Sequence, residues 1–90
     1  RRGEIEKATQ LGIESVKAAE AAFGSKDARY AVSASNLGEL YRVQRNYPES
    51  EKLFKKALKV DEKIFGKENV AVAKDLNNLG VMYRVSGMLN

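Results

Sequence analysis

The chain is 90 residues long, 43% hydrophobic and 31% charged, with a net charge of +4, one Pro and no Cys or His. That balance fits one small folded domain rather than a disordered segment, and the missing Cys excludes a disulfide framework and thiolate chemistry. No apolar run approaches the roughly 20 residues of a membrane span and no secretory signal is visible, so an intracellular, cytoplasmic setting is expected.

The first predicted helix runs from Glu4 to Phe23, with Ile5, Ala8, Leu11, Val16, Ala19 and Phe23 at the spacing of one helical face. Gly24 ends it, since glycine readily takes the left-handed conformation of a helix stop. Ser25-Lys26-Asp27 turns the chain, and Asp27 is the expected N-cap of a second helix over Ala28 to Arg45. Asn46-Tyr47-Pro48 makes a tight turn, with Pro48 at the first position of the third helix, where a missing N–H costs nothing. That helix reaches Phe65. Its apolar stripe of Leu53, Phe54, Ala57, Leu58 and Ile64 is flanked by Lys52, Lys55, Lys56 and Lys59. These lysines alternate with Glu49, Glu51, Asp61 and Glu62, the pattern of a solvated helix face with pairs such as Glu51–Lys55. Nucleic-acid binding would want basic residues interleaved with aromatics or glycine along one face, so neither nucleic acid nor membrane is expected as a partner. Gly66 repeats the stop, Asn69 repeats the cap, and a fourth helix spans 70–86 before Gly87. With such short connections, successive helices are antiparallel neighbours.

The elements also repeat in sequence. An offset of 42 carries Phe23-Gly24 onto Phe65-Gly66, Ala31 onto Ala73, Asn36-Leu37-Gly38 onto Asn78-Leu79-Gly80, and Tyr41-Arg42-Val43 onto Tyr83-Arg84-Val85, without a gap. The same step carries Leu11, Lys17 and Glu20 onto Leu53, Lys59 and Glu62. A period of this size marks a solenoid, whose units bury their apolar faces only against their neighbours. With Ala31 and Ala73 as position 1, Arg1 stands at position 13 of one repeat and Asn90 at position 18 of another. The chain therefore reads as one solenoid domain over 1–90, an excerpt of a longer array. It holds the second helix of a preceding repeat (4–23), one repeat (28–65) and the first helix of the next (70–86). Such an excerpt leaves Ile5, Ala8 and Leu11 bare at one end, and Leu76, Leu79, Tyr83 and Leu89 at the other. Copies are then expected to stack head to tail, with Met88 to Asn90 leading into the first helix of the next chain.

Leu37-Gly38-x-x-Tyr41 and Leu79-Gly80-x-x-Tyr83 resemble the first-helix core of the tetratricopeptide repeat. Tyr47, Ser50, Phe54 and Ala57 fall where that family prefers an aromatic, a small residue, Phe and Ala. Glycine at position 8 allows the second helix a close approach. The 42-residue period and the Leu-x-Asn-Leu-Gly-x-x-Tyr-Arg block most resemble kinesin light chain and nephrocystin-3-like arrays. The His-Pro common in that family's link is Asp27-Ala28 and Asn69-Val70 here. The resemblance implies an all-α, right-handed superhelical stack of antiparallel helix pairs and an adaptor role in protein–protein interaction, without cofactor.

In such arrays the first helices line a concave groove. The core face is expected to hold Ala31, Ala34, Leu37, Gly38 and Tyr41, with Ala73, Leu76, Leu79, Gly80 and Tyr83. The stripe left over holds Val32, Ser35, Asn36, Glu39, Arg42 and Val43 on the second helix. On the fourth it holds Lys74, Asn77, Asn78, Val81, Arg84 and Val85. Asn36 and Asn78 recur, and an amide offers both donor and acceptor to an extended peptide backbone. Arg42 and Arg84 recur, and an arginine holds a carboxylate by two parallel bonds, so an acidic peptide is the natural guess. A structural reading stays open beside this one, in which the asparagines tie helices together and the arginines only solvate the groove. A spacer or self-association segment is the alternative to an adaptor. Catalysis has no support: there is no His, Cys, phosphate loop or metal-ligand cluster. The acidic neighbours Asp61 and Glu62 read as solvated charge.

Overall fold

The computed structural model describes residues 2–87; the expectations for Leu89 and for Met88 to Asn90 lie outside them. The described residues form four helices and no strand: α1 (Arg2–Phe23), α2 (Ala28–Val43), α3 (Tyr47–Phe65) and α4 (Val70–Ser86). The caps account for most of the boundaries. The Arg29 backbone N–H donates to Asp27 Oδ1 at 2.8 Å and the Ala71 N–H to Asn69 Oδ1 at 2.8 Å, satisfying an orphan donor at each helix start. Gly24, Gly66 and Gly87 all have positive φ, at 86°, 82° and 74°.

α2 departs from expectation by stopping at Val43 rather than Arg45. Arg45 has φ 65°, a left-handed conformation costly for a side-chain-bearing residue. The Asn46 N–H then reaches back to Tyr41 O at 2.8 Å, closing the last turn. Arg45 thus does for α2 what Gly87, one repeat later, does for α4. α3 begins at Tyr47, one residue before Pro48.

At Gly38 α2 and α3 approach closely. A Cβ there would stand 2.9 Å from Phe54 Cε1, and the buried Ser50 hydroxyl donates to Gly38 O at 2.8 Å. Position 8 therefore does what its glycine implies. α1 packs differently from expectation: Leu11 is 63% exposed, and the inward face runs through Gly12. A Cβ at Gly12 would meet Leu37 Cδ1 at 3.0 Å and Leu40 Cδ1 at 3.2 Å, so α2 supplies the bulk that α1 lacks. Ala19, Tyr30 and Ala34 form one core cluster; Phe54, Leu79 and Met82 form the other.

α4 buries Val72, Asp75, Leu79 and Met82. Ala73 and Leu76, expected inward, are exposed, Leu76 by 52%. They occupy the α4 positions equivalent to Ala31 and Ala34, which are buried in the first repeat. Tyr83 O–H donates to Glu51 Oε2 at 2.5 Å, and Lys55 joins the same carboxylate at 3.2 Å, latching α4 to α3. At the other end, Gln44 Nε2 donates to Thr9 Oγ1, tying the end of α2 to α1. The molecule is a slab of 37 × 37 × 17 Å, thin enough for two helix layers about 8–10 Å apart.

Candidate functional site

α2 and α4 stand side by side, in direct contact, each packed on α3. Between them lies a hollow of about 360 Å³. α2 lines it with Val32, Ser35, Asn36 and Glu39, and α4 with Lys74 and Asn78. These six of the expected groove residues are brought together. Arg42 lines a shallower hollow along α2 with Asn36, Glu39 and Val43. Its guanidinium pairs with Glu39 at 3.5 Å. Asn77, Val81 and Arg84 lie on α4 and line neither hollow.

The deepest polar groups of the hollow are two acids. Asp75 of α4 is 4% exposed and Asp61 of α3 is 7% exposed, so Asp61 is not the solvated charge expected from its charged flanks. Its place explains this: Asp61 continues the inward stripe Ser50, Phe54, Ala57 at steps of four, three and four. Asp75 stands between Val72 and Leu79 on the inward stripe of α4. The Ser35 hydroxyl donates to Asp75 Oδ1 at 3.5 Å, while the buried Oδ2 has no N–H or hydroxyl donor and the Asp61 carboxyl lies within hydrogen-bonding reach of Asp75. Burial pushes the Asp75 carboxyl up to about 7, and Asp61 beside it adds to the shift; Ser35 and Lys74 pull the other way. The spacing of both acids on apolar stripes was the available signal.

Neither acid is required by the packing of the repeat. One repeat earlier, Ala19 stands at the position of Asp61 and Ser33 at that of Asp75. The aromatic at the end of the second helix differs in its surroundings too. Arg29 Cζ lies 3.6 Å from the Phe23 ring centroid, a cation over an aromatic face. The guanidinium is held by Asp27 through Nε–Oδ1 at 2.9 Å and Nη2–Oδ2 at 3.1 Å. That hydrogen bonding lowers the Asp27 carboxyl to about 2. Phe65, the equivalent of Phe23, instead lines the hollow beside Ala71, the equivalent of Arg29.

Among the described residues no three His, Cys, Asp or Glu side chains converge as metal ligands, and no helix is long and apolar enough to cross a membrane. What the geometry defines is a helical-repeat solenoid whose helices α2 and α4 border a hollow lined by both polar and apolar side chains. The tetratricopeptide repeat model matches residues 31–89, opening on Ala31, the position 1 of the numbering above. The match covers well over half of the chain, which therefore belongs to the tetratricopeptide repeat family. No curated protein matches the chain significantly. The family mediates protein–protein interactions and is in general a non-enzymatic scaffold.

Proposed function

We infer that this chain is an adaptor module, binding an extended peptide segment of a partner protein in the groove between α2 and α4. The observation that carries this reading is the hollow itself, bordered by the repeated Asn36 and Asn78 and by exposed Val32. Amides at such a spacing supply donors and acceptors to a peptide backbone whatever its sequence, and the apolar wall takes a side chain. The reading extends the resemblance to kinesin light chain-like arrays, in which this segment is one stretch of a longer solenoid without catalytic function. An acidic peptide would draw on Arg42 and Arg84, but Arg42 is engaged by Glu39 and Arg84 lies outside the hollow. The arginines therefore lend that choice of partner little support. The test is a titration with pooled peptides, acidic and basic, monitored by backbone amide shifts. Saturable shifts at α2 and α4, lost in Asn36→Ala/Asn78→Ala, are expected. Shifts that survive the double substitution would remove the asparagines from the reading.

Self-association with no groove ligand is the second reading, favoured by bare Leu76 and Val85 on α4. It predicts sedimentation that depends on protein concentration, whereas groove binding predicts none.

A further inference from the structure

The two junctions of the repeat differ in one coherent way. At the first, the chain lays its own guanidinium, Arg29, on Phe23. At the second, Ala71 replaces Arg29 and Asn69 replaces Asp27, so Phe65, about as exposed as Phe23 (43% against 44%), stands in the wall of the hollow without a guanidinium from the position of Arg29. There the small residues Ala19 and Ser33 give way to Asp61 and Asp75. The second junction has given up the Arg29–Asp27 pair and gained Asp61, Asp75 and, in place of Val32, Lys74, a net change of one negative charge; Asp75 is nearly buried, and its Oδ2 accepts from no N–H or hydroxyl donor. The ionisable lining of the hollow is Glu39, Asp61 and Asp75 against Lys74, in a chain whose net charge is +4.

We propose that the hollow between α2 and α4 takes an arginine side chain of the partner protein, its guanidinium stacked on Phe65 and forked onto Asp61 and Asp75. A guanidinium supplies both missing elements, a flat cation for the ring and parallel N–H donors for carboxylates. A lysine ammonium meets the charge but offers neither the face nor the fork. The proposal rests on the groove reading above and names the side chain that the groove selects. An arriving cation favours the ionised form of Asp75, whose carboxyl is otherwise pushed up to about 7. The groups facing it are Asp61 of α3, Ser35 of α2 and Lys74 of α4, with Glu39 of α2 in the same hollow. Binding therefore releases a proton near neutral pH and tightens as pH rises.

The experiment is a nuclear magnetic resonance titration of the 90-residue chain with short capped Ser/Ala peptides carrying one central Arg, Lys, citrulline or Glu. The Arg peptide is expected to shift the Phe65 and Asp75 amides saturably, with affinity at least about tenfold above the citrulline peptide and above the Lys peptide by a smaller factor. Asp61→Asn and Asp75→Asn each weaken it, and Asp75→Asn also removes the gain in affinity between pH 6 and pH 8. Ala71→Arg, which supplies the guanidinium from within as Arg29 does, blocks the Arg peptide while the helical circular dichroism is retained. Equal binding of all four peptides, dependent on Asn36 and Asn78 but not on the acids, overturns the arginine site and leaves the groove reading standing. Preference for the Glu peptide does the same. No saturable shift at α2 or α4 with any peptide overturns both.

Discussion

At Gly38 the Phe54 ring lies where a methyl group would go, while at Gly80, the same repeat position, nothing lies within 4 Å of that place. Gly38→Ala therefore forces the ring or the α2 backbone to move, at about 1–3 kcal/mol. At Gly80 only the backbone entropy of glycine is at stake, and Ala improves the helix by up to about 1 kcal/mol. Thermal unfolding is expected to show a lower Tm for Gly38→Ala and an equal or higher one for Gly80→Ala. Matching losses at both sites would mean that Gly80 is packed like Gly38. The sequence made these two glycines look alike, because a repeat reports the residue and not what stands opposite it. Gly12 makes the same point in reverse: Leu11 was the apolar choice on α1, yet Leu37 and Leu40 of α2 fill the space over Gly12.

Helix ends were legible wherever the signal was local. Asp27, Asn69, Gly24 and Gly66 act within a turn of themselves, and all four do what their residue types imply. Arg45 concealed the end of α2, since no residue-type rule points to a left-handed arginine. The acid pair stayed hidden for a tertiary reason: Asp61 and Asp75 gain their character only when α3 and α4 pack. That packing carries a pH signature. The Asp75 carboxyl is raised in the fold, from an ordinary 3.8 to about 7. Its neutral form is the favoured one, so the stability it contributes is complete below about pH 4 and is lost as pH rises through about 7. Asp75→Asn keeps the shape without the charge. Urea unfolding is expected to find the variant more stable at pH 8 by about 2 kcal/mol and level with the parent at pH 4. An equal difference at both pH values would show that Asp75 sheds its proton as freely in the fold as outside it.

Over the whole molecule, cover is uneven. The α4 face holding Leu76 and Gly80 is bare, and the repeat offers one way to judge what fits it. In the complete repeat Phe54 of α3 fills the space at Gly38; on α1 the equivalent residue is Gly12. A second copy docking its α1 on α4 would set glycine against glycine, without the aromatic ring that Phe54 lays on Gly38 and with less apolar area buried. Head-to-tail stacking is thereby weakened, and sedimentation equilibrium is expected to find a monomer through the micromolar range. Dimers at micromolar concentration would show that another surface closes over the bare helix.

The guanidinium that Arg29 lays on Phe23 bears on how many partners an extended array holds at once. If a ring without a guanidinium of its own chain is an arginine socket, then a junction is closed or open according to the residue two places after the helix cap, Arg29 in one case and Ala71 in the other. The valency of such a solenoid then depends on one side chain per repeat. Successive open sockets would turn several weak grips on a single flexible ligand into avidity, because each later contact forms at the high effective concentration set by the first. Closing one socket by a single substitution would lower that avidity stepwise and leave the superhelix intact.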